Sequence, residues 1–534
     1  MDFDTLIVNG TVVDGTGGPA RLADVGISRG RIAAIGDLAG QQAARRIDAS
    51  GHVVAPGFID AHSHSDVTLL EDPGGESKVH QGVTTEVTGN CAYSPFPCGD
   101  AGPAGLQRAL DSTLRGGDEW DWTTLDGWAD RVESRGVSIN LAPLVGHSAL
   151  RISVGTIDDR SPTPDQLAGM KRLAAEAVEQ GAFGMTTGLT YSPSCFADVD
   201  EIVALADAIR GYEGAFYASH ARVWAGWHFK AMEELVEVGR RSGIGVHYSH
   251  LAIIDPRHHG RAEEMIGIVD RARAEGIDAT ADVYPYAAAG TSLAALIPDW
   301  MSEGGVDGLL MRLRQPDLRQ RARREMEGGW FRGLPWDWDR LVLSHVFTDA
   351  NRGLVGLSLA RVAELRGADP MDTLLDLIDE EDNHAGVVAH NRTEADMRVF
   401  LAHPQSMIGS DGMAISPTGR WSVDMPHPRF YGTYPRILGR YVRDEPVVSL
   451  ETAVYKMSGF PAARVGIRDR GRVEEGLVAD LVVFDPNTVI DRSTFEDPHN
   501  LADGVAHVLV NGEAVVSDGV HTGARPGRVL RRGD

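Results

Sequence analysis

Apolar and polar positions follow two different periods along the chain, and the change of period divides it into regions. The N-terminal part consists of short alternating runs punctuated by Gly, Asn and Asp, as in LIVNGTVVDG, which predicts strands joined by turns. The C-terminal part has the same texture, as in VLVNGEAVVSDG. We therefore predict that residues 1–57 and 465–534 form one small β-sandwich domain, although two unrelated hairpins would give the same pattern.

Between these ends, short apolar runs alternate with amphipathic stretches of helical period. INLAPLVGH precedes TPDQLAGMKRLAAEAVEQ, and GVHYSH precedes RAEEMIGIVDRARAEG. Repeated strand and helix units predict a parallel sheet, and their number over residues 58–464 favours an α/β fold, a closed (β/α)8 TIM-like barrel. The stretch at about 291–340, rich in Trp and Arg, breaks this rhythm, and we interpret it as an insertion that covers the site.

Composition narrows the class of partner. The formal net charge of −25 argues against nucleic acid and anionic membranes. The chain lacks an apolar run long enough for a membrane span, and its first residues do not have the pattern of a secretory signal. Three scattered cysteines do not form a disulfide framework, so we expect a cytoplasmic protein. The sequence does not indicate an oligomeric state.

Residues with metal-ligand chemistry stand where apolar runs end. In GFIDAHSHSD two histidines are two positions apart, so they point to the same face of a strand. A barrel builds its active site at the carboxyl ends of its strands, where these residues would meet. The six candidates are His62, His64, Cys91, His220, His250 and Asp411. Each alone fits an ordinary structural role, but together their N, O and S donors suit Zn²⁺.

The other histidines rank lower. We expect supporting or structural roles for His147, His345 and His390, which also follow apolar runs. We expect surface positions for the histidines of polar loops, which are His258, His259, His403 and His427.

Long motifs of this chain resemble the amidohydrolase superfamily, and within it the N-acyl-D-amino-acid deacylase (D-aminoacylase) branch. They include PGFIDAHSHSD, GVTTEVTGNCAYSPFP, GMTTGLTYSP and HPRFYGTYPRILGRYV, and the resemblance covers nearly the whole chain. It implies a barrel with a split β domain. It also implies zinc-dependent hydrolysis of the amide bond of a small-molecule N-acyl-D-amino acid, which yields a carboxylate and a free D-amino acid.

The resemblance also implies a role for the cysteine of TGNCAYSP. Many binuclear amidohydrolases bridge their metals with a carboxylated lysine on the fourth barrel strand, but none of the four lysines here lies at an inward strand end. In the D-aminoacylase branch a cysteine after the second strand takes that role, and the match places it on Cys91. The resemblance then gives Cys91, His220 and His250 as a tight zinc site. It gives His62, His64 and Asp411 as a second site that is weaker or partly filled.

The remaining roles also follow from the resemblance. Asp411 would carry the proton during hydrolysis. Cys98 and Cys195 match no functional position.

One position departs from the branch. Relatives that cleave N-acyl-D-amino acids typically carry a lysine two residues after the histidine of the sixth strand, where it contacts the substrate carboxylate; here that residue is Ala252. Either another cation replaces it or the substrate lacks this carboxylate. We predict Arg222 as the replacement, with Arg392 and Arg429 as weaker candidates.

Aromatic residues complete the prediction. Tyr191 and Tyr284 resemble pocket tyrosines, or pack at strand ends. Trp224, Trp227 and Phe229 follow His220 and form either an apolar patch at the mouth or a contact with the insertion.

Two other functions remain open at this point. A cyclic amide hydrolase of the hydantoinase or dihydroorotase kind would keep the fold and the metal, but the missing bridging lysine argues against it. A non-enzymatic scaffold would need none of the six ligand positions.

Overall fold

The computed structural model describes residues 2–115 and 119–533. Within them, eight parallel strands close into a barrel, since each pairs with its neighbour and a bond from Ala61 N to Ile408 O (3.3 Å) joins the last strand to the first. In chain order the barrel strands 1 to 8 are Phe58–Asp60, Val83–Thr88, Asn140–Pro143, Gly184–Gly188, Phe216–His220, Gly245–Tyr248, Ala279–Val283 and Ser406–Ile408. A short extension, Val145–Gly146, carries strand 3 onto strand 4. The predicted α/β barrel is confirmed.

Helices follow the strands and surround the barrel. Those between strands 1 and 7 are Thr68–Glu71, Glu76–Val79, Gly102–Leu114, Leu125–Arg135, His147–Ser153, Pro164–Glu179, Val199–Ile209, His228–Ser242 and Ala262–Ala274. Glu394–Ala402 precedes strand 8, and Arg429–Arg436, the π-helical Ile437–Asp444, Leu450–Met457 and Gly459–Val465 follow it.

The local sequence accounts for where such a helix begins and which face it buries. Thr163 accepts a hydrogen bond from Gln166 N, the Gln166 side chain accepts one from Thr163 N, and Pro164 takes the first helical position. One turn apart, Met170, Ala174 and Val178 pack against the barrel, since residues at this spacing share a helix face.

Strands from both ends of the chain build the β part. One sheet orders Arg31–Gly36, Asp24–Ser28, Asp2–Val8 and Gln42–Asp48. The other orders Val520–His521, Glu513–Ser517, Val505–Val510, Leu481–Phe484, Val53–Pro56, Thr11–Val12 and Arg21–Leu22, so N-terminal and C-terminal strands share one sheet. Apolar side chains of both sheets form a common core. The two ends of the chain, which have similar sequence patterns, thus contribute neighbouring strands to one β part.

The segment between strands 7 and 8 forms a separate cover. Its three antiparallel strands are Ala289–Ser292, Leu341–His345 and Gly386–Ala389, and its helices are Gly305–Leu313, Pro316–Met326, Leu359–Arg366 and Pro370–Glu380. An apolar core of its own holds it together. The cover therefore extends well beyond the predicted 291–340. The prediction was too short because the last two strands of the cover have the same apolar pattern as barrel strands.

No helix among the described residues combines the length and the apolarity that a bilayer crossing requires.

Candidate metal centre

Six side chains converge at the carboxyl ends of the barrel strands, and all are 8% exposed or less. Ligand atoms of His62, His64, Cys91 and Asp411 lie within 4.8 Å of one another, and so do those of Cys91, His220 and His250. Cys91 belongs to both groups. The structure therefore brings all six predicted ligands together, with the thiol between the two groups.

Distances around the thiol show how central it is. Cys91 Sγ lies 3.3 Å from His62 Nε2 and 3.5 Å from His250 Nε2. It lies 3.6 Å from His220 Nδ1. On the far side, His64 Nε2 lies 3.0 Å from Asp411 Oδ1. These spacings leave room for cations among the donors.

Strand 4 holds the loop that carries Cys91. Ala92 N donates to the Thr186 hydroxyl (3.1 Å), which in turn donates to Gly89 O (2.5 Å). A Cβ on Gly188, at the end of strand 4, would lie 2.2 Å from Cys91 O. The cysteine loop therefore lies directly over the strand on which many amidohydrolases carry a lysine.

Three of the six residues adopt a backbone conformation that L-residues rarely use. Cys91, His250 and Asp411 have φ of 53°, 40° and 51°. Such conformations cost about 1–3 kcal/mol each and concentrate at functional sites. The surrounding packing maintains them here, which indicates that side-chain placement takes precedence over local backbone energy.

Asp282, on strand 7, orients two of the ligand residues, and sequence reasoning missed it. Its Oδ2 lies 3.3 Å from His62 Nδ1 and 2.7 Å from His247 Nε2, and its Oδ1 accepts the backbone N–H of His250 (2.8 Å). Thr280, two positions earlier, bonds the other nitrogen of His247 (2.9 Å). The alternation in ATADV, which puts Thr280 and Asp282 on one face, was the signal available.

The cluster favours anionic donors. Burial alone would raise the pKa of the Cys91 thiol, but the positive charge of His62 and hydrogen bonds from the imidazoles hold that pKa well below its usual value. Burial would also raise the pKa of Asp411, but the Arg429 guanidinium, 2.8 Å away, and His64 hold it well below the usual range. A thiolate and a carboxylate among imidazoles form a good cation site.

Beneath the cluster lies a buried group of charges that sequence reasoning also missed. Lys78 Nζ lies 2.7 Å from Asp60 Oδ2 and 2.9 Å from Glu86 Oε1, all fully buried. Asp60 also accepts hydrogen bonds from the backbone of His62 (3.2 Å) and of Ser410 (2.8 Å). This group connects strands 1, 2 and 8 just below their ligand residues.

A cavity of about 170 Å³, here called the metal cavity, contacts the cluster. Tyr191, Tyr284 and Ala252 line it, so the three positions open on the same space. Tyr191 lies with its ring 4.7 Å from that of His220, and its hydroxyl lies 3.2 Å from Thr291 Oγ1 of the cover. The cover therefore closes one side of the cavity.

Arg222 does not face this cavity, which corrects the prediction that it replaces the missing lysine. Its Nε lies 3.1 Å from Glu234 Oε1, and its other nitrogens donate to Cys195 O and Ala197 O. Every part of its guanidinium is thus engaged elsewhere. Residues two apart on one strand point to the same face, so Arg222 would share the face of His220 if strand 5 continued. Strand 5 ends at His220, however, and the chain then turns away.

Among the arginines that line the metal cavity in the described part of the chain, Arg392 has no ion-pair partner. Its guanidinium lies 4.5 Å from the ring centre of Tyr284, its Nε lacks a hydrogen bond, and no carboxylate of residues 2–115 and 119–533 pairs with it. Arg429, by contrast, is committed to Asp411.

Among the lower-ranked histidines, His427 departs from expectation because it is buried. His147 contacts Ser194 and Glu201 and is structural, whereas His345 lines the metal cavity.

His390 packs on Phe495, and His427, expected at the surface, is 2% exposed next to Arg429. His258, His259 and His403 lie outside the cavity, half-buried. A polar loop that folds over a cavity is buried by tertiary contacts that its composition does not show.

The segment after His220 contacts the cover through Trp224 and the backbone of Ala225. Arg332 lies 3.6 Å from the Trp224 ring centre, and Ala225 N donates to Phe331 O (2.8 Å). Trp224, Trp227 and Phe229 do not line the metal cavity. Trp224 thus contacts the insertion, whereas Phe229 packs on Arg261, whose guanidinium lies 4.3 Å from its ring centre, and on the barrel core.

A (β/α)8 barrel with an extra β domain and a His, Cys and Asp cluster at its strand ends defines a metal-dependent hydrolase of the amidohydrolase type. The buried Nε2 of His220 and Nδ1 of His64 lack protein partners, and the donor set fits zinc. A model of the amidohydrolase family matches residues 45–274 and 326–516. The chain belongs to this family.

Particular relatives cover the whole chain. D-aminoacylase from Alcaligenes xylosoxydans xylosoxydans is 36% identical over 530 residues, which are 99% of this chain and 98% of that one. The structure of N-acyl-D-glutamate deacylase from Bordetella bronchiseptica, complexed with zinc and a phosphonate mimic of the tetrahedral intermediate, has a TM-score of 0.83 at 33% identity and covers 99% of this chain and 100% of that one. A D-aminoacylase structure described by one-metal activation and second-metal attenuation has a TM-score of 0.82 at 36% identity, with 99% and 100% covered.

Proposed function

We propose that this protein is a zinc-dependent deacylase of N-acyl-D-amino acids or close analogues, and that it releases a carboxylate and a free D-amino acid. The observation that carries the proposal is the Cys91-centred cluster of six buried donors. The relatives supply the substrate class and the D-configuration, which no residue contact on its own specifies.

Cys91, His220 and His250 would hold the tight zinc ion. His62, His64 and Asp411, with Cys91 shared, would hold a second, weaker one. Two contacts support this order, because Asp411 is already paired with Arg429 and His62 with Asp282. One D-aminoacylase relative is described by one-metal activation and second-metal attenuation, which supports assigning the activity to a single ion.

A bound zinc ion would supply Lewis acidity to the amide carbonyl and lower the pKa of a coordinated water. Asp411 would then accept the proton of the attacking water on its carboxylate, since this carboxylate lies at the cavity wall and remains ionised beside Arg429. It would deliver that proton to the amide nitrogen, because an amine leaves poorly as an anion. Arg429 would hold the carboxylate in place throughout.

Arg392 would bind the substrate carboxylate in place of a lysine at Ala252. Both residues line the metal cavity, and the guanidinium stacks on Tyr284 with donors free. A planar guanidinium binds a carboxylate through two parallel hydrogen bonds, so it is a good substitute for an ammonium. The alternative is an amide substrate without that carboxylate, or a cyclic amide.

The test is amine release by the zinc-loaded protein from N-acetyl-D- and N-acetyl-L-amino acids and from matched amides without the free carboxylate. We expect turnover of the D-acids, with zinc measured on the same sample. Turnover restricted to the carboxylate-free amides would favour the alternative substrate, and zinc without any turnover would contradict the proposed activity. We expect the enzyme to act in the cytoplasm, in keeping with its three buried free thiols.

A further inference from the structure

A second cavity lies directly beside the metal cavity and has no role in the chemistry described above. Its volume is about 480 Å³. The two cavities share the side chains Tyr93, Ser112, Thr113, Tyr191 and Ser292 in their walls. We call the second one the side cavity.

The metal cavity is small for a substrate with three parts. Its volume of about 170 Å³ lies below the range of roughly 300–1,000 Å³ that is usual for small-molecule sites. The carboxylate, the amide and the D-side chain would already occupy it. A larger acyl group therefore needs further space.

Arg392 and the metal centre would hold the substrate at two points. Their positions determine which part of the substrate points toward the side cavity. Arg392 stacks on Tyr284, which follows strand 7, on the side of the barrel formed by strands 6 to 8. Tyr93, Ile152 and Tyr191 of the side cavity follow strands 2, 3 and 4, across the barrel. In an N-acyl amino acid the carboxylate and the acyl chain lie on opposite sides of the amide, so the acyl chain extends away from Arg392.

The lining of the side cavity suits a hydrocarbon chain. Gly105 and Ala109 of the helix Gly102–Leu114, and Ala101 just before it, line the cavity together with Ala294, Ala295 and Val306 of the cover, and these small residues leave the space open. Charges stand at the rim and are neutralised there, since Arg108 contacts Asp307 at 3.0 Å and Asp382 at 2.6 Å. Asp299 of the lining is likewise paired, with Arg332 at 2.8 Å, and polar side chains such as Ser112, Thr113 and Asn383 stand among the small apolar ones.

We propose that the side cavity binds the acyl chain of the substrate and that the enzyme prefers N-acyl amino acids with an extended aliphatic acyl group over N-acetyl ones. The proposal rests on the proposed function and specifies its substrate class.

The experiment compares two substrate series with the zinc-loaded protein. One series lengthens the acyl group from acetyl through butyryl and hexanoyl to octanoyl on one D-amino acid, and the other keeps acetyl and lengthens the D-side chain by the same steps. We expect kcat/KM to rise about fourfold per methylene in the first series until the cavity is filled, and we expect no such rise in the second.

Two cavity-filling variants locate the effect. A109F and A294F act from opposite walls, and A104F is the matched control because Ala104 is exposed on the same helix as Ala109. We expect A109F and A294F to lose at least about tenfold in kcat/KM with the octanoyl substrate and to keep N-acetyl turnover, which also shows that they fold. A104F should behave as the unchanged protein.

If kcat/KM did not rise along the acyl series, or rose only along the side-chain series, the proposal would be overturned and the deacylase activity would stand. Equal losses in A104F would overturn it as well. Zinc-loaded protein that turned over neither series would overturn the proposed function, and the acyl assignment with it.

Discussion

At the scale of single residues, the site depends on the positions of three kinds of ligand, which are thiol, imidazole and carboxylate, and of two guanidinium groups. Cys91 belongs to both ligand groups, Asp411 to one, and Arg429 and Arg392 differ in whether they already have a partner. These differences give each residue a distinct test.

Cys91→Ala should abolish zinc binding at both sites, because it removes the ligand that the two groups share. Metal content after equilibrium dialysis against zinc measures this. Cys98→Ala is the control, since Cys98 is a buried thiol outside the cluster whose pKa burial raises to about 12. Full zinc content in the Cys91 variant would contradict the assignment.

Asp411→Ala should lower kcat by about 10²–10⁴-fold, the usual effect of losing a general acid and base. The tight zinc should remain, because Cys91, His220 and His250 are untouched. Turnover and zinc content of the same preparation distinguish the two effects. An unchanged rate would rule out the proton-carrying role.

Arg392→Met should raise KM for an N-acyl-D-amino acid by at least about thirtyfold, equivalent to ~2 kcal/mol, because a buried carboxylate would lose its partner. KM for the matched amide without the carboxylate should hardly change. Steady-state kinetics on both substrates is the measurement. Arg222→Met tests the earlier candidate, and a rise in KM there but not at Arg392 would reverse our assignment.

At the scale of elements, strands 1, 2 and 8 are connected below the metal centre by Lys78, Asp60 and Glu86. A short helix, Glu76–Val79, brings the lysine into the barrel, and its Nζ also donates to the Ser410 hydroxyl (2.5 Å). Ligand residues follow each of these strands, so their relative positions depend on this buried group.

Lys78→Met should destabilise the protein by about 3–5 kcal/mol, because it leaves two buried carboxylates uncompensated. Chemical denaturation of both proteins, with zinc held constant, measures the difference. Arg172→Met is the matched control, since Arg172 and Glu176 form an exposed helical pair at 3.4 Å whose loss should cost less than about 0.5 kcal/mol. Equal effects of the two changes would show that the buried group does not hold the strands.

At the scale of the whole molecule, a β part from both chain ends and a cover between strands 7 and 8 flank one barrel. The ligands come from strands 1, 2, 5, 6 and 8, and each of these strands is buried in an extensive apolar core. The barrel therefore has its own source of stability apart from any metal.

Removal of zinc with a chelator should abolish turnover and leave the fold intact, unlike in small domains whose folding depends on the metal. Circular dichroism should show unchanged secondary structure, and one equivalent of zinc should restore activity. Unfolding on chelation would contradict this, and so would full activity without metal.

Alternation of apolar runs and amphipathic stretches, read along the chain, predicted the barrel, and the six ligand positions were visible because each stands at the end of an apolar run. Both features are local, since strand and helix periods and the residue after a strand depend on neighbours in sequence. The resemblance added the roles of Cys91 and Asp411, which no spacing gives.

Other features were decided by tertiary structure alone. Asp282 and Lys78 both have partners that are remote in sequence, since His62 lies 220 residues from Asp282 and Asp60 lies 18 residues from Lys78. Arg222 points away from the cavity and Arg392 into it, although both follow strands in sequence. The direction of a side chain beyond the last paired residue depends on where the chain turns, and the burial of a loop depends on what packs over it. Sequence pattern records neither, so the cation of the site, the extent of the cover and the side cavity emerged only from the packed structure.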